Sequence, residues 1–118
     1  MSNVCILFGE IHINSEPDAI SLKQILERRI YLDTYDYIPE KKILIIDAGF
    51  DTLKHINWLE KFVYKKISEY MPENSFGRLY FKEGQFFSCI YFGYQKYHIA
   101  DYGEPDFPEW WNGKGIRG

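Results

Sequence analysis

A single α+β domain is the fold class this sequence predicts, and three observations predict it. The chain has 118 residues, 46% of them hydrophobic, which is enough for one packed core and too little for two ordinary ones. Apolar positions recur with a strand-like period in some segments and a helical period in others. After residue 76 three aromatic-rich runs follow one another with no helical pattern between them, the mark of an antiparallel meander. The expected order is β-α-β-α-β-β-β, a mixed sheet of about five strands with two helices packed on one face. Residues 1–100 form the domain, and 101–118 an irregular acidic and aromatic tail packed on it or extending from it.

Val4 to Ile13 reads as the first strand, continuous and apolar at its start, then alternating through Ile11, His12 and Ile13. Gly9 inside it suggests a bulge or an early end. The turn chemistry of residues 14–18 leads into a helix, with Ser15 three residues before Asp18 and Pro17 in the first turn. That helix should run to about Tyr31, burying Ala19, Leu22, Ile25, Leu26 and Ile30. Residues 33–39 mix acidic residues with tyrosines and end at Pro39, so they read as a surface loop.

Ile43 to Asp47 is a compact apolar strand of the kind covered on both faces, and a helix between it and the first strand makes the two parallel neighbours. Asp51 or Thr52 then caps a second helix that Pro72 closes. Its buried stripe should be Ile56, Leu59, Val63, Ile67 and Tyr70. Residues 76–82, 86–94 and 96–100 form the meander, with Gly84 at the first turn. A two-residue turn puts Leu79 and Phe81 on one face with Phe86, Ser88, Ile90 and Phe92. With that turn, Phe76, Arg78, Tyr80 and Lys82 share the other face with Phe87, Cys89 and Tyr91, where Trp110 and Trp111 of the tail can fold back over them; a three-residue loop would instead put Phe87, Cys89 and Tyr91 with Leu79.

Charge and composition narrow the function. Fourteen basic and 17 acidic residues give a net charge of −3, which excludes binding to nucleic acid through bulk charge alone. Cys5 and Cys89 lie in apolar runs, as reduced core thiols do. No cationic leader opens the chain and no apolar run is long enough to span a membrane, so a cytoplasmic protein without membrane contact is expected.

The surplus of rings, 10 Tyr, 9 Phe and 3 Trp, exceeds what a core of this size needs. Asp101, Glu104, Asp106 and Glu109 surround Trp110 and Trp111, and Asp36 sits between Tyr35 and Tyr37. Acidic groups steer a cationic partner while Tyr and Trp supply the contacts that hold it. The first expectation is therefore a protein-binding module of the immunity-protein or antitoxin kind. It would use these nine residues to occlude a toxin or nuclease with a basic surface, acting without cofactor, metal or catalytic residues of its own.

The second expectation is a single-stranded nucleic-acid binder. It would use Arg78, Tyr80, Lys82 and Tyr91 with a helix face bearing Lys54, Trp58, Lys61 and Lys65, since bases stack on rings and cations meet phosphates. A third is a small metal-dependent hydrolase built on Glu10, His12, His98 and Asp101. Separately, Asp47 at a strand end, with Gly49 and Asp51 entering a helix, occupies the edge where parallel-sheet enzymes place reactive groups. The chain carries no P-loop, dinucleotide fingerprint or nucleophile elbow.

Overall fold

Alternation of buried and exposed residues along the first strand organises the molecule. In the computed structural model, which describes residues 4–28, 32–51, 56–100, 108–111 and 113, β1 (Val4–His12) buries Cys5, Leu7 and Ile11 and turns Ile6, Phe8 and Glu10 outward. The strand neither bulges nor ends at Gly9, because its pairing runs unbroken on both sides. Gly9 has a φ of +154°, and a Cβ there would fall 2.2 Å from the Arg78 carbonyl oxygen. Glycine lets the next strand approach where any side chain would collide with backbone.

The first helix (Glu16–Glu27) begins as its sequence dictates: the Ser15 hydroxyl accepts from the Asp18 amide, Pro17 sits in the first turn, and Ala19, Leu22 and Leu26 are buried. It stops at Glu27, with Arg28 as its cap, short of the expected end near Tyr31. Ile30 and Tyr31 lie outside the described residues.

The acidic and aromatic stretch read as a loop is instead strand β2 (Leu32–Ile38), joined by a turn through Pro39 and Lys42 to β3 (Ile43–Asp51). Asp and Pro signal a turn in isolation, but an edge strand tolerates charge on its solvent side. Here Asp36 is exposed while the next residue, Tyr37, packs against the core and its hydroxyl donates to the Ile13 carbonyl at 2.8 Å. This extra strand reverses the chain. β3 therefore runs antiparallel to β1, Val4 opposite Asp51 and His12 opposite Ile43, rather than parallel to it. Asp51 belongs to that strand, and residues 52–55, Thr52 among them, lie outside the described residues.

The second helix spans three segments, Ile56–Leu59, a π-helical stretch Glu60–Tyr64, and Lys65–Tyr70. Among its described side chains Leu59, Val63, Tyr64, Ile67 and Ser68 are buried, followed by Met71, whereas Tyr70 is 47% exposed; the Ile56 side chain is not among those described. Leu59, Val63 and Ile67 keep the expected stripe through the π segment, and the departure comes at the helix end, where Met71 takes an extended conformation (φ −81°, ψ 129°) and is buried in place of Tyr70.

β4 (Phe76–Glu83), β5 (Phe86–Gly93) and β6 (Lys96–Ala100) form the expected meander. The Gly84–Gln85 turn sets Leu79 opposite Ile90 and Phe81 opposite Ser88. The described residues form an α+β domain with one sheet of six strands in the order β2-β3-β1-β4-β5-β6, every neighbouring pair antiparallel, so this sheet is neither mixed nor five-stranded. Each helix links two strands that leave room for a third between them. This is the split βαβ, or ferredoxin-like, connectivity, widened by β5 and β6.

Both helices pack on one face of this sheet. Ala19, Leu22, Leu26, Leu59, Val63 and Ile67 meet Leu7, Ile11, Leu44, Ile46, Leu79, Ile90 and Phe92 in one continuous core. Among the described residues no helix is long and apolar enough to cross a membrane.

Candidate binding face of the sheet

The face away from the helices is built from the alternate residues of the same strands. Register places Asp47, Phe8, Tyr80 and Cys89 in one cross-strand row and Asp36, Ile45, Glu10, Arg78, Tyr91 and His98 in the next. The carboxylates Asp36, Asp47 and Glu10 thus stand on β2, β3 and β1, while the cations Arg78 and Lys82 stand on β4.

The tail covers one end of this face. Trp111, 3% exposed, packs edge-on against Tyr91 at 5.0 Å and Phe76 at 6.0 Å, and its indole N–H donates to the Gly77 carbonyl at 2.9 Å. Trp110 lies half-buried over Gly93, in space that a Cβ would fill, with Lys96 Nζ 5.3 Å from its ring centre. A second small core of Cys89, Tyr91, Ala100 and Trp111 results. Burial pushes the Cys89 thiol up and the Tyr91 hydroxyl up to about 12.

Beyond Trp111 the face is open. Phe8 (37% exposed), Tyr80 and Phe87 (38% exposed) form a row, with ring centres 5.4 Å and 5.6 Å apart. Arg78 Cζ sits 5.5 Å from the Tyr80 ring centre and 5.3 Å from that of Trp111, a cation held between two π faces. His12 stacks on Phe76 at 4.3 Å, and its Nε2 lies 3.7 Å from a Glu10 oxygen. Burial lowers the His12 pKa and Glu10 opposes that shift.

These groups enclose a cavity of about 200 Å³ lined by Phe8, Gly9, Glu10, His12, Phe76, Arg78, Tyr80 and Trp111. A shallower depression of about 530 Å³ adjoins it over Ile6, Phe8, Ile45 and Asp47.

The residues expected to bind a protein partner are dispersed. Asp101, Glu104 and Asp106 lie outside the described residues, while Glu109 is exposed. Trp111 and Tyr37 are committed to packing, the first under the tail and the second in the main core. Tyr35 stands opposite Ile46 on β2, and Asp36 and Trp110 keep solvent contact.

The residues expected to bind nucleic acid divide between the two sides of the sheet. Arg78, Tyr80 and Lys82 share the open face, but Tyr91, 4% exposed, is covered by Trp111. Trp58 packs on the main core and Lys61 and Lys65 are exposed on the same helix, across the sheet from Arg78; Lys54 is outside the described residues. The hairpin and the helix therefore cannot form one surface.

Nor do the residues of the hydrolase reading converge. His12 is on β1 and His98 on β6, with β4 and β5 between them, and His98 faces Tyr91. Asp101 is outside the described residues, and Asp47 sits within β3 rather than at its end. No three His, Cys, Asp or Glu groups among the described residues are placed to hold a metal ion.

Phe8, Phe76 and Glu10 emerge as lining residues of one cavity, a role that sequence reasoning missed for the two rings. The available signal was the even-numbered series Ile6, Phe8, Glu10, His12, obscured by the apolar run in which it begins. No protein-family model matches the chain, and no curated protein or solved structure is similar to it, so the reading of this face rests on its own geometry.

Proposed function

We propose that this protein binds single-stranded nucleic acid on the open face of its sheet. The observation that carries the reading is the row Phe8–Tyr80–Phe87, exposed at both outer rings and half-buried at Tyr80, with Arg78 and Lys82 on the strand that supplies its middle ring. Bases stack on such rings whatever their sequence, at about 1–3 kcal/mol per base, and cations beside them meet the phosphates. The overall charge of −3 is compatible with this function because Arg78 and Lys82 stand together on β4 beside the rings, with Asp36 and Asp47 on β2 and β3, while Glu10 faces Arg78 and Lys96 lies on β6 against Trp110. Electrostatic attraction is correspondingly modest, and stacking supplies most of the affinity.

Fluorescence anisotropy with labelled oligonucleotides of RNA and DNA tests this directly. A single strand should bind more tightly than the matching duplex, whose bases are not free to stack. Phe8→Ala and Phe87→Ala should each weaken binding about tenfold, the effect of one lost stack, with the melting temperature little changed. Lys82→Ala should flatten the dependence of log affinity on log salt by about 0.7, the share of one single-strand phosphate. Absence of binding at low salt overturns the proposal.

A second reading, a protein-binding module, draws on a different observation. Ile6, Phe8 and Phe87 are exposed at 39%, 37% and 38% on a face whose other half carries Asp36 and Asp47, and exposed rings rimmed by acidic groups suit a partner with a basic surface. Asp36→Lys together with Asp47→Lys separates the readings, since it should strengthen oligonucleotide binding and abolish capture of a cationic protein.

A further inference from the structure

The cavity beside the row of rings is lined by charged groups as well as aromatic ones, Glu10 and Arg78 among them. Glu10 and Arg78 are directly opposite one another across β1 and β4, a pairing that brings their Cβ atoms within about 5.5 Å. They nevertheless form no ion pair: Arg78 lies between Tyr80 and Trp111, and the Glu10 carboxylate stands nearest His12. At 3.7 Å that contact is beyond hydrogen-bonding distance, so both carboxylate oxygens keep lone pairs to offer. An acceptor pair and a donor fork thus border the same ring-walled space.

We propose that this cavity recognises a guanine base, an inference that rests on the single-strand reading above. Its volume of about 200 Å³ is below that of sites for drug-sized ligands and suits one planar heterocycle. Guanine presents two adjacent donors, N1–H and the 2-amino group, and beside them two adjacent acceptors, O6 and N7. The first pair matches the two oxygens of Glu10 and the second matches the Arg78 fork. Adenine and uracil alternate single donors with single acceptors, so neither fills both groups. Cytosine offers Arg78 two acceptors but Glu10 only its 4-amino group. The indole of Trp111, fixed through Gly77, and the ring of Phe76 close the space around the base.

The test uses the full chain and a short all-uridine oligonucleotide, together with versions carrying one central guanosine, inosine, adenosine or cytidine. Guanosine should bind about tenfold or more tightly than adenosine or cytidine, the discrimination of one bidentate pair. Inosine, which lacks the 2-amino group, should fall between them. Glu10→Gln and Arg78→Lys should each bring the guanosine-to-adenosine ratio close to one, with circular dichroism and melting curves recording that the fold persists. Equal affinities for guanosine, adenosine and cytidine, with all-uridine still bound, overturn the guanine site and leave the stacking surface standing. A preference for another base overturns it equally, and failure of every oligonucleotide to bind overturns both.

Discussion

The two faces of the β4–β5 hairpin are made from neighbouring residues of the same strands and meet opposite fates. On one, Leu79, Phe81, Ile90 and Phe92 are buried under the helices, and Phe81 meets Phe86 edge-on at 6.0 Å. On the other, Tyr80 and Phe87 lie 5.6 Å apart and nearly parallel, with Phe87 38% exposed. Ring content alone therefore says nothing about burial: parity within a strand decides which face a ring joins, and what covers that face decides the rest, since Tyr91 shares the face of Tyr80 yet is buried under Trp111. The surplus of aromatics divides into rings that fill a core and rings that are displayed, which is why a chain with 46% hydrophobic residues still carries an apolar outer surface.

Substitution of one ring from each face measures this difference most directly. Phe92→Ala removes a fully buried side chain and should lower unfolding stability by about 3–5 kcal/mol in urea, the loss of transfer energy plus the cavity left behind. Phe87→Ala should cost under about 1 kcal/mol, as for other surface changes. Comparable losses from the two would mean that the open face is covered by something that holds the fold together.

Trp111 occupies an intermediate place, on the outer side of the sheet yet 3% exposed. Trp111→Ala should cost about 3 kcal/mol, at the low end for a buried ring because one side of its site opens to solvent, with the Gly77 carbonyl losing its donor. Trp111→Phe keeps much of the contact and loses the hydrogen bond, and should cost about 1 kcal/mol. A Trp111→Ala variant as stable as the parent would show that the tail only rests on the sheet, and would return that indole to the set of groups free to meet a partner.

The same division explains how much was legible in the sequence. The β4–β5 hairpin was legible with two alternative registers, because side-chain parity is local but the length of the turn around Gly84 decides between them, and the structure gives the two-residue turn. The helix start at Ser15 and the stripe Ala19, Leu22, Leu26 were readable for the same reason. What failed depended on distant partners. Residues 32–38 look like a loop until β3 lies beside them, and with that strand unseen the direction of β3 relative to β1 came out reversed. Tyr70 falls inward on a continued 3.6-residue period, and that period carries no mark of the helix ending there with Met71 extended and buried. The candidate site was half visible: Arg78, Tyr80 and Lys82 were grouped on one face, but the cavity also needs Phe8, Glu10 and His12 from a strand more than sixty residues earlier.

The smallest expected effect comes from His12, an outward-facing residue whose side chain is only 19% exposed because it stacks on Phe76. Burial disfavours its charged form, and Glu10 offsets part of that, so its pKa in the folded protein lies below 6.5. The unfolded chain takes up a proton as the pH falls through about 6.5 while the folded chain stays neutral until lower pH, so the unfolded state binds more protons in that interval. His12 therefore favours the fold above pH 6.5, and this contribution is lost as the pH falls through its folded pKa. In urea titrations at pH 7.5 and 5.5, His12→Gln should lose less stability on acidification than the parent protein, and the His12 ring resonances should titrate below 6.5. If the two proteins respond identically, His12 behaves as a solvated group; the open face would then extend under Phe76, and the cavity beside Arg78 would be wetter than its ring-lined walls imply.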